Sequence, residues 1–220
     1  MTPASLLAWL AVLATGLLTA AIARPVLRRL PEPEVDDAPG YASLPDNRFV
    51  LGCGVCSAAA AAVAWATLPA ALQPLWTVLA VGGVLLAAID LATTWLPLRL
   101  VQASWLAMAI AALAGASLAG SWSMLLRAAV GAAMAGGLYL AVWLVSRGGF
   151  GFGDVRFAPL LGAAAAAASW RLLVATLVVG TLVGGVAGAA RMVRRRDGPF
   201  PYAPSMLVGA YLAALSGWPG

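Results

Sequence analysis

The chain has 220 residues, of which 63% are hydrophobic and only 10% are charged. A soluble domain of this size needs far more polar surface, so the composition excludes an ordinary soluble protein and predicts an all-α, polytopic membrane helix bundle. The net charge is +5, and all of the positive charge comes from Arg, because Lys and His are absent. Arg beside apolar segments is typical of cytoplasmic loops and does not indicate nucleic-acid binding.

Apolar segments follow one another along the chain, and they predict about eight transmembrane helices in a single domain of residues 1–220. The sixth is short and predicts a tilted or partly spanning helix. The first has a candidate signal-peptide cleavage site at Ala21-Ile22-Ala23, but no basic residues precede it, so we expect a retained helix. The segments cover residues 4–23, 49–70, 74–94, 99–119, 122–145, 156–169, 171–191 and 203–218.

The first connection, residues 24–48, is the one sizeable polar segment between the predicted helices. It combines several Pro with Glu32, Glu34, Asp36 and Asp37. This composition is typical of a solvated loop without a packed core, and we expect it to be cytoplasmic.

Cys53 and Cys56 form a CxxC pattern in the second apolar segment. A structural zinc site needs four protein ligands, which two Cys and no His do not supply. A redox pair is an alternative, but without a βαβ pattern nearby the spacing favours two small apolar residues that open a helix. We therefore expect no metal and no cofactor.

Arg is distributed unevenly between the connections, and this asymmetry predicts the orientation of the chain. Only Arg127 and Arg171 lie near even-numbered connections. By the positive-inside rule, the odd-numbered connections are cytoplasmic and both termini lie outside. The other eleven Arg residues lie in or beside the odd-numbered connections: Arg24, Arg28, Arg29, Arg48, Arg99, Arg147, Arg156, Arg191, Arg194, Arg195 and Arg196.

Asp90 and Asp154 are the only carboxylates inside or at the edge of the apolar segments. Ionisable groups in a membrane are costly and usually functional. The third segment runs inward and ends near Asp90, and Asp154 follows the fifth connection, so both acids are expected at the cytoplasmic face. A proton relay in a transporter or channel favours acids at different depths, whereas two acids at one face favour a pair that acts together.

Asp154 ends the glycine-rich segment Gly148-Gly149-Phe150-Gly151-Phe152-Gly153. Glycines permit backbone conformations that other residues avoid and let a substrate strand approach closely. Asp154 is expected in the first turn of the next helix, where the helix dipole stabilises its charge. A phosphate-binding loop is not favoured, because neither a following Lys nor a preceding strand is present. A flexible turn with a capping Asp is the remaining alternative.

Two spaced motifs resemble the type IV prepilin peptidases, a family of GxGD intramembrane aspartyl proteases. One is Gly151-Phe152-Gly153-Asp154, and the other is Asp90 followed seven residues later by the Pro of Leu96-Pro97. Pro201-Tyr202-Ala203-Pro204 is similar to a Pro-rich segment of that family, and the resemblance covers about residues 74–218. It implies that Asp90 and Asp154 are the catalytic acids. It also implies residues that bind substrate or shape the site: Gly151, Gly153, Pro97, Arg156, Pro201 and Pro204. For Arg156, contact with lipid headgroups is the favoured alternative to orienting a carboxylate.

The resemblance implies an aspartyl endopeptidase of the prokaryotic plasma membrane, surrounded by lipid, with a role in type IV pili or protein secretion. Its substrate would be a prepilin or pseudopilin, with a basic leader in the cytoplasm and an apolar helix in the membrane. The stretch Glu32–Asp37 would attract such a leader, although a solvated charge run is the simpler interpretation. Ala92 and Leu98 occupy positions where many members have further acids, and the short 24–48 loop without Cys does not imply methyltransferase activity.

Two close carboxylates share one proton, so that one can deprotonate a water while the other polarises the scissile carbonyl. We expect Asp154, at a helix N-terminus, to be the ionised member. The absence of His and of a nucleophile elbow disfavours Ser or Cys peptidase chemistry. A proton-coupled transporter and a non-catalytic assembly factor with the same fold are the alternatives.

Overall fold

The computed structural model describes residues 3–31, 40–147, 151–195 and 198–217. Within these ranges all regular structure is helical, so the predicted all-α bundle is confirmed. The ends of the eight predicted segments shift by a few residues at most sites, and by six at the end of the first. The helices are α1 (Pro3–Arg29), α2 (Asn47–Thr67), α3 (Ala70–Thr93), α4 (Leu98–Ala119), α5 (Trp122–Val145), α6 (Phe152–Ala168), α7 (Trp170–Val193) and α8 (Ala203–Leu215).

Six of the helices described, α1 to α5 and α7, are long and apolar enough to cross a membrane. Their outer faces expose large apolar side chains such as Leu17, Leu106 and Val186, which suits a lipid environment. The chain is therefore a multi-pass membrane protein. The remaining two are shorter, since α6 has 17 residues and α8 has 13; a short sixth helix was expected.

Parts of the loop predicted for residues 24–48 form regular structure. Helix α1 continues to Arg29, because the basic residues of its last turn complement the dipole at a helix C-terminus. A short 3₁₀ turn covers Tyr41–Ser43. Asp46 caps α2 by accepting a 2.7 Å hydrogen bond from the Phe49 N–H. The acids Glu32, Glu34, Asp36 and Asp37 lie outside the described residues.

Helix α6 lies in the middle of the bundle, and its run of small residues permits this position. Most of its side chains are buried, including the five consecutive alanines from Ala163 to Ala167. Gly131 of α5 and Gly162 of α6 face each other so closely that a Cβ on either would overlap the carbonyl oxygen of the other. Small residues of this kind let membrane helices approach. The close contact fixes α6, and with it the first turn that carries Asp154.

Helix α3 is one continuous span with a π-helical turn at Leu79–Gly83, which the sequence did not predict. Such wider turns often occur near functional sites. The Ser57 hydroxyl of α2 donates a 2.6 Å hydrogen bond to the Ala80 carbonyl within this turn, and it also pairs with the Thr19 hydroxyl at 2.7 Å. The π-turn is thus stabilised by a neighbouring helix, ten residues before Asp90.

Candidate active site

Asp90 lies in the last full turn of α3 and is buried, with 5% of its surface exposed. Its Oδ2 accepts a 3.0 Å hydrogen bond from the backbone N–H of Ala203, the first residue of α8. The first N–H groups of a helix have no partner within the helix, and the dipole there favours a negative charge. The start of α8 therefore stabilises Asp90 as a carboxylate.

Asp154 is the third residue of α6, as expected for the first turn, and it is equally buried at 5% exposure. Its backbone N–H donates to the Gly151 carbonyl at 3.2 Å. Its Oδ1 has no hydrogen-bond partner among the residues described. A buried carboxyl oxygen without a donor favours the protonated form.

Both acids line one cavity of about 600 Å³. The structure thus brings the ends of α3 and α5 together with the start of α6 and the segment that leads into α8. Three further residues implied by the family resemblance, Gly151, Gly153 and Arg156, share this lining. The other lining residues are Thr94, Trp95, Leu96, Trp143, Phe152, Pro199, Phe200 and Tyr202.

Gly151 and Gly153, which precede Asp154, pack closely and do not adopt a special backbone conformation. Gly151 has φ −67° and ψ 129°, an ordinary extended geometry that any residue adopts; Gly153 is helical. Neither glycine therefore uses the additional backbone conformations that glycine permits. A Cβ on Gly151 would lie 3.0 Å from Asp154 Oδ2, and one on Gly153 would lie 3.1 Å from a methyl carbon of Leu96. Gly148, Gly149 and Phe150 lie outside the described residues.

The sequence model of the type IV leader peptidase family matches residues 77–189, slightly more than half of the chain. The chain belongs to that family. The matched range contains Asp90 and Asp154, and it ends before the Pro-rich segment at residues 201–204. No curated protein and no solved structure matches the chain. Membership shows a peptidase of the leader-peptidase type.

Three prolines that the family resemblance implied do not line the cavity of this leader peptidase, namely Pro97, Pro201 and Pro204. Pro97 precedes α4, and its carbonyl accepts the N–H groups of Leu100 and Val101 at 3.1 Å. Pro201 is buried. Pro204 is the second residue of α8, where a missing N–H costs nothing. A role of these prolines in shaping the site stays a prediction.

Arg156 lies on the cavity wall beside two aromatic rings. Its guanidinium carbon is 4.6 Å from the centroid of the Phe152 ring, a cation–π distance. The Trp143 ring meets Phe152 edge-on at 5.0 Å. The Arg156 carbonyl accepts a 3.0 Å hydrogen bond from the indole N–H of Trp105 in α4. The charged head of Arg156 thus lies over the Phe152 ring, while its backbone is bonded to α4.

Sequence reasoning missed several residues of the site. The Ala203 N–H is a backbone group, and no side-chain motif identifies it; the neighbouring prolines were the available signal. Thr94 adopts a left-handed conformation with φ 60°, and its N–H caps the Asp90 carbonyl at 2.7 Å. Tyr202 lies on the cavity wall and packs against Tyr139, with 6.3 Å between ring centroids.

The CxxC pair does not line the cavity of the two acids. Cys53 is buried and Cys56 is exposed, and both are free thiols within α2. They line a separate apolar pocket together with Pro204. Among the residues described, no group of three or more His, Cys, Asp or Glu side chains is arranged to hold a metal ion.

Proposed function

We propose that this peptidase is an aspartyl endopeptidase that removes the leader of prepilin-like proteins at the cytoplasmic face of the plasma membrane. The observation that carries the proposal is that Asp90 and Asp154 are both buried and line the same cavity. The third carboxylate among the described residues, Asp46, serves as a helix cap. Family membership supports a peptidase of the leader-peptidase type, and the aspartyl mechanism and the substrate are our proposal.

The hydrogen bonds of the two acids support a division of roles opposite to that expected from the sequence. Asp90 accepts a backbone N–H and is the ionised member, because that donor stabilises the carboxylate. Asp154 has an oxygen without a donor and holds the shared proton. The dipole at the start of α6 stabilises a charge on Asp154 by up to about 2 kcal/mol in partly buried geometries, but Asp154 has no hydrogen-bond donor at Oδ1 to offset its burial, whereas the equally buried Asp90 has one.

Peptide hydrolysis then proceeds with Asp90 as base and Asp154 as acid. Asp90 takes a proton from water as the water oxygen bonds to the scissile carbonyl carbon, and Asp154 gives its proton to the carbonyl oxygen. The resulting diol collapses when its hydroxyl returns a proton to Asp154 and the C–N bond breaks. Asp90 protonates the departing nitrogen, which restores the starting charges.

The proposed function includes an orientation of the active site in the membrane and a role of cavity residues in substrate binding. The uneven distribution of Arg supports a cytoplasmic site with both termini outside. The cavity lies where the third, fifth and seventh connections leave the bundle. Gly151 and Gly153 hold the wall close to the acids, and Arg156 is available to a carbonyl or carboxylate of the substrate. A proton relay is less favoured, because both acids face one cavity.

Co-expression with a prepilin tests the dyad. Asp90→Asn and Asp154→Asn should each reduce cleavage by at least a thousandfold, as judged by mass spectrometry of the product N-terminus. Asp46→Asn is the matched control, because Asn also caps helices, and it should cleave at the wild-type rate. Normal cleavage by either cavity variant would overturn the dyad. A wild-type protein that cuts no prepilin would favour the non-catalytic assembly factor.

A further inference from the structure

A second cavity, of about 570 Å³, lies along α4, α5 and α6, and we call it the α4–α6 groove. Its lining contains no charged residue and is dominated by Ala and Gly. The indole N–H of Trp105, the polar group at its edge, already donates to the Arg156 carbonyl. The groove therefore offers contact to an apolar partner and no hydrogen bonds.

The exposed edge of the groove on α5 consists of Ala129, Ala133 and Gly137. Residues four apart lie on one helix face, and the lining of α5 from Leu125 to Gly137 extends about 18 Å at 1.5 Å per residue. A Cβ on Gly137 would have no atom within 4 Å. Small side chains on a membrane helix let a second helix backbone approach closely.

The inner end of the groove adjoins the catalytic cavity. Trp105 of the groove is hydrogen-bonded to Arg156 of the cavity at 3.0 Å. On α6, Pro159 of the groove follows Asp154 by five residues, which is about 7.5 Å along the helix axis. A helix lying in the groove would therefore end about 7.5 Å from the level of Asp154, a distance that an extended stretch of about two residues spans.

We propose that the α4–α6 groove binds the apolar helix of the substrate, on the C-terminal side of the scissile bond. The inference rests on the proposed function, which places that bond between Asp90 and Asp154. The groove adjoins the cavity of the two acids, and this favours a substrate helix as its occupant. A lipid chain or a second copy of the protein would not have to lie next to the acids.

Filling the groove should weaken binding of a helix-bearing substrate selectively. Gly137→Leu and Ala133→Leu place a side chain in the groove, and Gly185→Leu on α7 is the matched control. Gly185 is likewise exposed, helical and without an atom within 4 Å of an added Cβ, but it lies outside this groove. The comparison uses a full prepilin and a soluble peptide that spans the cleavage site but lacks the apolar helix.

We expect the ratio of kcat/KM for prepilin to kcat/KM for peptide to fall about tenfold in the groove variants, through KM for prepilin. The ratio should keep its wild-type value in Gly185→Leu. An unchanged ratio in the groove variants would overturn the docking proposal. If the wild-type protein cleaves neither substrate, the proposed function itself fails, which is a distinguishable result.

Photo-crosslinking identifies the occupant directly. A benzoyl-phenylalanine at residue 133 in the Asp154→Asn background, which retains uncut substrate, should crosslink to the apolar helix of prepilin. The same group at residue 185 should not. Crosslinks from residue 133 only to lipid, or only to another copy of this protein, would overturn the proposal.

Discussion

The N–H of Ala203 donates a 3.0 Å hydrogen bond to Asp90 Oδ2, across 113 residues of sequence. This bond directs the N-terminus of α8 toward one acid of the cavity, while Asp154 Oδ1 has no such donor among the described residues. Chemically identical side chains thus have different surroundings. The difference supports Asp90 as the base and Asp154 as the acid.

Infrared spectroscopy in detergent tests this division of roles at neutral pH. We expect a protonated-carboxyl band in the wild-type protein. The band should be lost in Asp154→Asn, because the remaining Asp90 keeps its backbone donor and stays ionised. It should persist in Asp90→Asn, because the remaining Asp154 is buried without a donor. The opposite pattern would show that Asp154 is the base.

Gly153 and Leu96 join the two motifs of the site, and this contact is sensitive to one added carbon. Gly153→Ala places a Cβ 3.1 Å from Leu96, and such overpacking costs about 1–3 kcal/mol. We expect kcat/KM to fall about tenfold, with partial recovery in the double variant Gly153→Ala, Leu96→Ala. Gly185→Ala is the control and should retain activity. Equal activity of Gly153→Ala and wild type would show that the contact does not position Asp154.

The close approach of α5 and α6 should make Gly162 intolerant of any side chain. An added Cβ would overlap the Gly131 carbonyl oxygen, a backbone atom that cannot rotate away. We expect Gly162→Ala to lower both thermal stability in detergent and cleavage rate. Gly188→Ala, whose Cβ would meet nothing within 4 Å, should change neither. An unchanged melting temperature for Gly162→Ala would contradict the described packing.

Ser57 should stabilise the protein through the π-turn of α3. Ser57→Ala removes the hydroxyl that bonds the Ala80 carbonyl and the Thr19 hydroxyl. Membrane-helix hydrogen bonds contribute about 0.6 kcal/mol on average and up to about 1.7 kcal/mol, so we expect a loss of this size in reversible unfolding. Ser117→Ala, which removes a bond within one helix at an exposed site, should cost less. Equal losses in the two variants would show that Ser57 has no special role.

The helix order and the identity of the two acids could be predicted from the sequence, for a physical reason. The preference of a segment for a membrane, and the cost of placing a carboxylate there, are properties of local composition. Asp90 and Asp154 can therefore be recognised from the linear sequence. The short sixth helix and the position of Asp154 in its first turn follow from the same local information.

Only the tertiary structure decided which groups surround each acid. The Ala203 N–H carries no side-chain signature, and its contact with Asp90 depends on how α3 and α8 pack. For the same reason, sequence reasoning assigned the negative charge to Asp154 from its helix terminus alone. The packing role of Gly151 and Gly153, the π-turn and the α4–α6 groove likewise arise from contacts between distant segments. Composition identified the two acids, and helix packing gave them different surroundings.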